Sequence, residues 1–132
     1  GPNAGKEVIK AIKSNHVVCL LCDRDIEGTG VKVSFFDEET SIPAGPAMLS
    51  IRTGAKIIPV AVYQQSKSHH AIVRPPLNST RQGNLREDVA RISQDIARSF
   101  EELIRLEPEQ WHLMSPNWPS DHEALKKHHA KS

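Results

Sequence analysis

The sequence lacks the features that would place it within a membrane or on nucleic acid. No apolar run approaches the roughly 20 residues that a transmembrane helix needs, and no signal peptide is visible. Lys and Arg number 17 against 16 Asp and Glu, so the formal net charge is only +1 and the bases are scattered. This balance gives no electrostatic case for nucleic acid. The 132 residues, 38% of them hydrophobic, have an ordinary globular composition.

Cysteine is scarce, and its two copies stand three residues apart. Cys19 and Cys22 lie in the segment HVVCLLCD. The C-x-x-C spacing occurs in redox and zinc sites. In a β-strand, however, these two side chains point to opposite faces. We therefore expect two buried structural thiols, which suits a reducing compartment.

Hydrophobic periodicity predicts helices and strands in alternation. Residues 5–15 carry a helical stripe, and His16–Cys22 is a continuous apolar run typical of a strand covered on both faces. The other predicted elements are a strand at 33–36, a helix opened by Pro43 or Pro46 and stopped at Gly54, strands at 56–63 and 70–74, and a long helix from a capping Asn84 to Glu107.

This order of elements predicts an α/β fold with a layered sheet and flanking helices. The predicted first helix follows Gly1-Pro2 almost directly, which is typical of a sequence that begins in the middle of a fold. We expect residues 1–121 to form the C-terminal portion of a domain and residues 122–132 to form a flexible tail.

The most informative stretch runs from residue 23 to residue 48. It gathers Asp23, Asp25 and Glu38 around one short strand, beside the start of a helix. Acids at strand ends near a helix start are typical of a functional site. Two simpler interpretations stay open. Arg24 could neutralise both neighbouring acids in a structural ion pair, and Glu38 could belong to a solvated acidic turn.

Other residues are candidates for holding an anion or a membrane surface. The backbone N–H groups of Ala44 and Gly45 open the Pro43 helix and offer its positive dipole end to an anion, unless this is an ordinary helix start. Arg52 is a candidate phosphate ligand or a plain surface charge. The histidine pairs lack partner ligands at metal-binding spacing. Trp111 and Trp118, with Met114, either enter the membrane interface or close the core, and packing is favoured for Trp111.

Six segments between about Val17 and Asp121 resemble one enzyme family. They resemble the bacterial lysophospholipid acyltransferase superfamily, in the branch of the late lipid A acyltransferases, and are most similar to the actinobacterial phosphatidylinositol mannoside acyltransferases. The segments are LLCDRD, VSFFDE, IPAGPAMLSIRTGA, KIIPVAVY, LREDVARISQDIARSFEELIR and PEQWHLMSPNWPSD. The resemblance implies a glycerolipid acyltransferase-like fold.

The resemblance also implies a reaction and its partners. A fatty acyl group would pass from acyl-CoA, a co-substrate, to a sugar hydroxyl of a membrane glycolipid, with no further cofactor. The implied partners are acyl-CoA, the glycolipid acceptor, the cytoplasmic surface of the cell membrane, to which the protein would bind peripherally, and the N-terminal portion of the enzyme.

By resemblance, the site residues divide into two groups. Glu38 corresponds to the family's second-motif glutamate, which would orient the acceptor sugar or hold the catalytic residues together. Asp23 matches the acid of the family's D-x-D segment, and Asp25 follows it. The expected substrate-binding residues are Arg24, Ala44, Gly45 and Arg52.

The family's catalytic His-x-x-x-x-Asp motif is absent. The residues five places after His16, His69, His70, His112 and His122 are Leu21, Arg74, Pro75, Asn117 and Lys127. A general base contributes roughly 10²–10⁴-fold, so this chain alone is expected to be nearly inert. Two alternatives follow: a lipid A type acyltransferase fragment, or a non-catalytic module that binds an acyl donor or docks onto another polypeptide.

Overall fold

The computed structural model describes residues 3–112 and 116–130. In chain order its elements are α1 (Ala4–Lys13), β1 (Val31–Phe35), β2 (Glu38–Ile42), α2 (Gly45–Thr53), β3 (Val60–Gln65), β4 (Ser68–Val73), α3 (Leu85–Leu106), a 3₁₀ turn (Pro108–Gln110) and α4 (Pro119–His129).

The helices begin and end where local signals predict. The Asn84 side chain accepts a hydrogen bond of 2.9 Å from the Glu87 backbone N–H at the start of α3. Helix α2 carries a proline in its first turn and ends at Gly54, whose φ of 74° is left-handed. Asn15, with a φ of 63°, follows α1 and stops it. The three predicted helices are therefore confirmed.

The strands form two separate antiparallel hairpins, β1–β2 and β3–β4. Each has a two-residue turn that needs positive φ. Phe36 and Asp37 have φ values of 50° and 62°, and Ser66 has 49°. The α/β class is confirmed in this coarse sense, whereas a single layered sheet and a glycerolipid acyltransferase-like fold stay predictions. Strand β2 was not predicted, because EETSI carries almost no apolar signal.

The prediction of a buried strand at His16–Cys22 is wrong. The segment lies in no helix or strand, and Val17 and Leu21 are 92% and 99% exposed. The reason is that no described strand pairs with it. Cys22 is buried but Cys19 is exposed, so the expectation of two buried thiols fails for Cys19.

The core lies between the β1–β2 hairpin and α3. Phe35 and Ile42 project from the hairpin onto Ile92, Ile96 and the small Ala97 of α3, and all five are almost fully buried. The predicted apolar face of α3 is thus confirmed as the face that packs on the sheet. Burying these side chains supplies the main stabilisation.

The C-terminal region adds a helix to the expected tail. Helix α4 covers Pro119–His129, so much of the segment expected to be a tail has regular structure, and its flexibility stays a prediction. Met114 lies outside the described residues. Within residues 3–112 and 116–130, no helix combines the length and the apolar character needed to cross a membrane.

Candidate functional site

Four aromatic rings form the centre of the candidate site. Phe35 and Phe36, at the β1–β2 turn, pack with Trp111 and Trp118 at centroid separations from 4.7 to 6.4 Å. Both tryptophans are half-buried against the core. The expectation that Trp111 packs is confirmed, and Trp118 packs as well. Aromatic pairs at these separations add stabilisation beyond their buried area.

Asp23 is held by this aromatic cluster. The Trp111 Nε1–H donates a hydrogen bond of 2.9 Å to one carboxylate oxygen of Asp23 across 88 residues of sequence. No other hydrogen bond of the Asp23 carboxylate is found within the described part of the chain. The second oxygen is therefore available to a substrate or to another side chain.

An open groove of about 380 Å³ lies beside Asp23. Its walls come from residues 20–23 and from β3, and its floor from the last turns of α3 and the segment that follows. The apolar residues that line it include Leu20, Val60, Val62, Phe100, Leu103 and Ile104. Burial, and secondarily the charge of Asp23, raises the pKa of the Cys22 thiol at the wall to about 11. Cys22 is therefore a protonated packing residue near neutral pH.

Asp25 holds the loop that follows Asp23. One carboxylate oxygen accepts hydrogen bonds from the Gly30 N–H and the Ser41 hydroxyl, both at 2.7 Å, and the other accepts from the Gly28 N–H at 3.1 Å. Burial raises the pKa of Asp25, but these hydrogen bonds outweigh it and hold the pKa below its usual value. A carboxylate in this state is a weak proton acceptor and a strong loop anchor.

Gly30 is required for the same loop. A Cβ built on it would lie 2.2 Å from the backbone oxygen of Ile42 and 2.8 Å from an Asp25 carboxylate oxygen. Only glycine permits this close approach of the loop to β2. The glycine turn that the sequence singled out therefore fixes the position of Asp25 against Ser41.

Arg24 takes no part in the ion pair that the sequence left open. It is partly buried, and among the residues that the structure describes it forms no salt bridge with either neighbouring acid. Its guanidinium group is therefore unpaired among the residues that the structure describes.

Glu38 is the first residue of β2, and its side chain binds the start of α4. The Ser120 backbone N–H donates to Glu38 Oε1 at 3.1 Å, and the Ser120 hydroxyl donates to Oε2 at 2.9 Å. A carboxylate at a helix N-terminus also interacts favourably with the helix dipole. Glu38 is thus a positioned, partly buried acid and not part of a solvated turn.

The aromatic cluster connects Glu38 to Asp23 without bringing them into contact. Asp23 bonds to Trp111, Trp111 packs edge-on against Trp118 at 6.1 Å, and Trp118 lies two residues before the Ser120 that binds Glu38. Glu38 is not among the residues that line the groove. The two acids therefore flank one aromatic cluster, and Asp25 lies apart from it in the loop.

The expected anion-binding residues fall at opposite ends of α2. Ala44 and Gly45 lie at its start, and the exposed Arg52 lies in its last turn. Seven helical rises of about 1.5 Å separate Gly45 from Arg52 along the axis, roughly 10 Å. One phosphate cannot contact both, so Arg52 and the helix start would bind different groups.

Sequence reasoning missed the residues that position the acids. It left Ser120 without a role, and for Trp111 it weighed packing against membrane contact. No local signal identifies them as partners of the acids, because those acids lie 82 to 88 residues away. Among residues 3–112 and 116–130, no group of three His, Cys, Asp or Glu side chains is arranged to hold a metal ion.

Nearly the whole chain matches known proteins. The family model for bacterial lipid A biosynthesis acyltransferases matches residues 2–120. The chain is 38% identical over 110 residues to a phosphatidylinositol mannoside acyltransferase of Mycobacterium tuberculosis, a match that covers 83% of this chain and 33% of that protein. A phosphatidylinositol mannoside acyltransferase of Mycolicibacterium smegmatis is also 38% identical over 110 residues, covering 34% of its length. The chain spans about a third of these relatives, at their C-terminal end.

Proposed function

The chain belongs to the bacterial lipid A biosynthesis acyltransferase family, and we propose that it is the C-terminal portion of an enzyme that acylates a membrane glycolipid. The donor is acyl-CoA and the acceptor is a sugar hydroxyl of a phosphatidylinositol mannoside. The observation that carries this proposal is the 38% identity to two mycobacterial enzymes named for that substrate.

In this proposal, Glu38 and Asp23 act at the acceptor. Acyl transfer needs a hydroxyl held in line with the thioester carbonyl, and well-placed carboxylates provide that orientation. Glu38 is fixed by the two Ser120 donors, and Asp23 keeps one oxygen free beside Trp111. Asp25 acts indirectly, because its two oxygens accept three hydrogen bonds that hold the loop against β2, whereas each Glu38 oxygen accepts only one and can still accept another.

The proton acceptor comes from another part of the enzyme. None of the seven histidines of this chain has an aspartate five residues after it. We propose that a His-x-x-x-x-Asp segment in the N-terminal portion deprotonates the acceptor hydroxyl. The free groups of Arg24, of Arg52 and of the α2 start at Ala44 and Gly45 are the proposed contacts for the phosphates of the donor or the acceptor.

The reaction would take place at the cytoplasmic face of the cell membrane, to which the enzyme binds peripherally. A lipid acceptor resides there, and acyl-CoA is water-soluble. The amphipathic tryptophans are half-buried in this chain, so membrane contact would have to involve other surfaces as well.

The test is CoA release by the complete acyltransferase, meaning a polypeptide that contains this chain together with its N-terminal portion. We expect release that depends on an added mannosylated phosphoinositide and that is much slower with a lipid A disaccharide acceptor. Faster release with the lipid A acceptor would show that the proposed acceptor is wrong but that the enzyme is still an acyltransferase. Acceptor-independent hydrolysis alone would contradict acyl transfer.

The absent histidine motif favours one alternative from a different class, a non-catalytic module that binds an acyl donor or docks onto another polypeptide. The same assay separates the two. Saturable acyl-CoA binding with no acceptor-dependent CoA release by the complete protein would favour the module.

A further inference from the structure

The outer edge of β3 carries backbone groups that no described strand satisfies. The Arg74 N–H donates to the Pro59 carbonyl oxygen at 2.9 Å, which fixes the register of the β3–β4 ladder. Because residues along an antiparallel strand alternate in direction, Ala61, Tyr63 and Gln65 bond toward β4. The N–H and C=O groups of Val60, Val62 and Gln64 point away from it.

One of these three outward positions is already closed. The Gln64 N–H donates to the Gln110 side-chain oxygen at 2.7 Å, and the Gln110 amide nitrogen donates back to the Gln64 carbonyl at 3.0 Å. The side-chain amide thus replaces a neighbouring strand at that position. Val60 and Val62 have no such partner within the part of the chain that the structure describes.

The other hairpin shows what a closed edge looks like. On β1, the outward Ser34 exchanges two hydrogen bonds with the Gln94 amide, at 2.8 and 2.9 Å, and the Phe36 N–H donates to Glu101 at 2.8 Å. Both side chains come from α3, which therefore covers the outer edge of the hairpin at Ser34 and Phe36. On β3 only Gln64 is covered in this way among the described residues, and Val60 and Val62 are not.

The segment 17–22 faces β3 across the groove, and its backbone groups also lack hydrogen-bond partners among the described residues. It is apolar and lies in no helix or strand. Leu20 and Leu21 line one wall of the groove and Val60 and Val62 the other, above the apolar end of α3. Two unpaired backbones therefore border a single apolar groove of about 380 Å³.

The outer face of the β3–β4 hairpin is also apolar. Val60 and Val62 are 47% and 63% exposed, and Val73, the cross-strand partner of Val60, is 64% exposed. A face that stays in water normally carries polar residues, and an open apolar edge promotes aggregation. This pattern is typical of a strand that lies inside a larger sheet.

We propose that a β-strand from the N-terminal portion of the enzyme occupies this groove. It pairs with Val60 and Val62 on one side and with segment 17–22 on the other, and it joins them into one sheet. The occupant follows from the relatives, about two thirds of whose length lies outside the match. The inference rests on the proposed function only in taking that remainder as the partner.

Amide hydrogen exchange in the complete acyltransferase tests this pairing. We expect the Val60 and Val62 amides to exchange at least about 100-fold more slowly than in an unstructured peptide, at every protein concentration. Exchange at the unstructured rate would overturn the proposal. Protection that develops only as the concentration rises, together with dimers in light scattering, would also overturn it, because a second copy would then fill the groove.

A pair of proline variants supplies an independent readout. Val62 and Ala71 are opposite each other in the hairpin, and both N–H groups point away from the β3–β4 ladder. Val62→Pro should expose the amides of residues 17–22 to exchange, whereas Ala71→Pro should leave them protected. Unchanged protection of these amides in Val62→Pro would contradict the pairing.

These measurements need no substrate, so the two proposals fail separately. If the Val60 and Val62 amides are protected but the enzyme transfers no acyl group, only the proposed function is wrong. If the enzyme releases CoA in an acceptor-dependent way but these amides are unprotected, only the proposed strand pairing is wrong.

Discussion

At the residue scale, three acids of similar sequence context have different environments. Both oxygens of Asp25 accept hydrogen bonds from its own loop and from Ser41 of β2. Asp23 accepts one hydrogen bond from a distant tryptophan, and Glu38 accepts two from the start of a helix. The sequence singled out these three acids as candidate site residues. It could not assign their roles, since Trp111 and Ser120 lie more than 80 residues away from the acids they bind.

Asp25 leads to a prediction about pH. Asp25→Asn keeps one acceptor oxygen, so it should lower the free energy of unfolding near pH 7 by about 1–2 kcal/mol. The pKa of Asp25 is lowered in the folded state. Its stabilisation is therefore complete above the pKa of an unfolded aspartate, about 4, and is lost as the pH falls through the lower, folded-state pKa.

Urea unfolding of wild type and Asp25→Asn from about pH 7 down to about pH 3 measures this difference. We expect the gap in unfolding free energy to narrow only in the acidic range. A gap that is absent at neutral pH would show that the carboxylate does not hold the loop.

At the scale of elements, the helices and the β3–β4 hairpin were predictable, the hairpin with shifted bounds, whereas only the first strand of the β1–β2 hairpin was predicted. Helix α3 has a cap, a continuous apolar face and a proline after its end, all within its own sequence. The β1–β2 hairpin depends on a Phe36-Asp37 turn with positive φ, which neither residue type signals strongly. Segment 16–22 has the composition of a strand, but a strand needs a partner, and none is described.

The loop before β1 leads to a second prediction. Gly30→Ala places a Cβ against the Ile42 backbone and the Asp25 carboxylate, so it should destabilise the fold by about 1–3 kcal/mol or more. Gly5→Ala is the control, because a Cβ at Gly5 in α1 meets nothing within 4 Å and should be neutral or stabilising by up to about 1 kcal/mol. Chemical denaturation measures both, and a fully stable Gly30→Ala would refute the close approach.

At the scale of the whole molecule, the chain has a complete core on one side and an open edge on the other. Helix α3 covers the β1–β2 hairpin and closes its edge, whereas β3 and residues 17–22 expose apolar side chains and free backbone groups. The six segments in order were enough to predict the family, which the family model confirms. The layering of the sheet stays a prediction, because the described strands form two separate hairpins.

Glu38 is the most important residue of the proposed acyl-transfer site, and the neighbouring Glu39 provides a matched control. Glu38 binds the start of α4, whereas Glu39 is exposed and forms only a surface ion pair with Lys32 at 2.9 Å. Glu39→Gln should have little effect on folding, and Glu38→Gln keeps one acceptor oxygen for Ser120 and should cost about 1 kcal/mol of stability.

The deciding measurement is acceptor-dependent CoA release by the complete acyltransferase carrying Glu38→Gln or Glu39→Gln, with thermal unfolding as a check on folding. We expect Glu38→Gln to lower turnover by about 10²-fold or more, and Glu39→Gln to stay within about twofold of wild type. Equal turnover in the two folded variants would contradict the proposed role of Glu38.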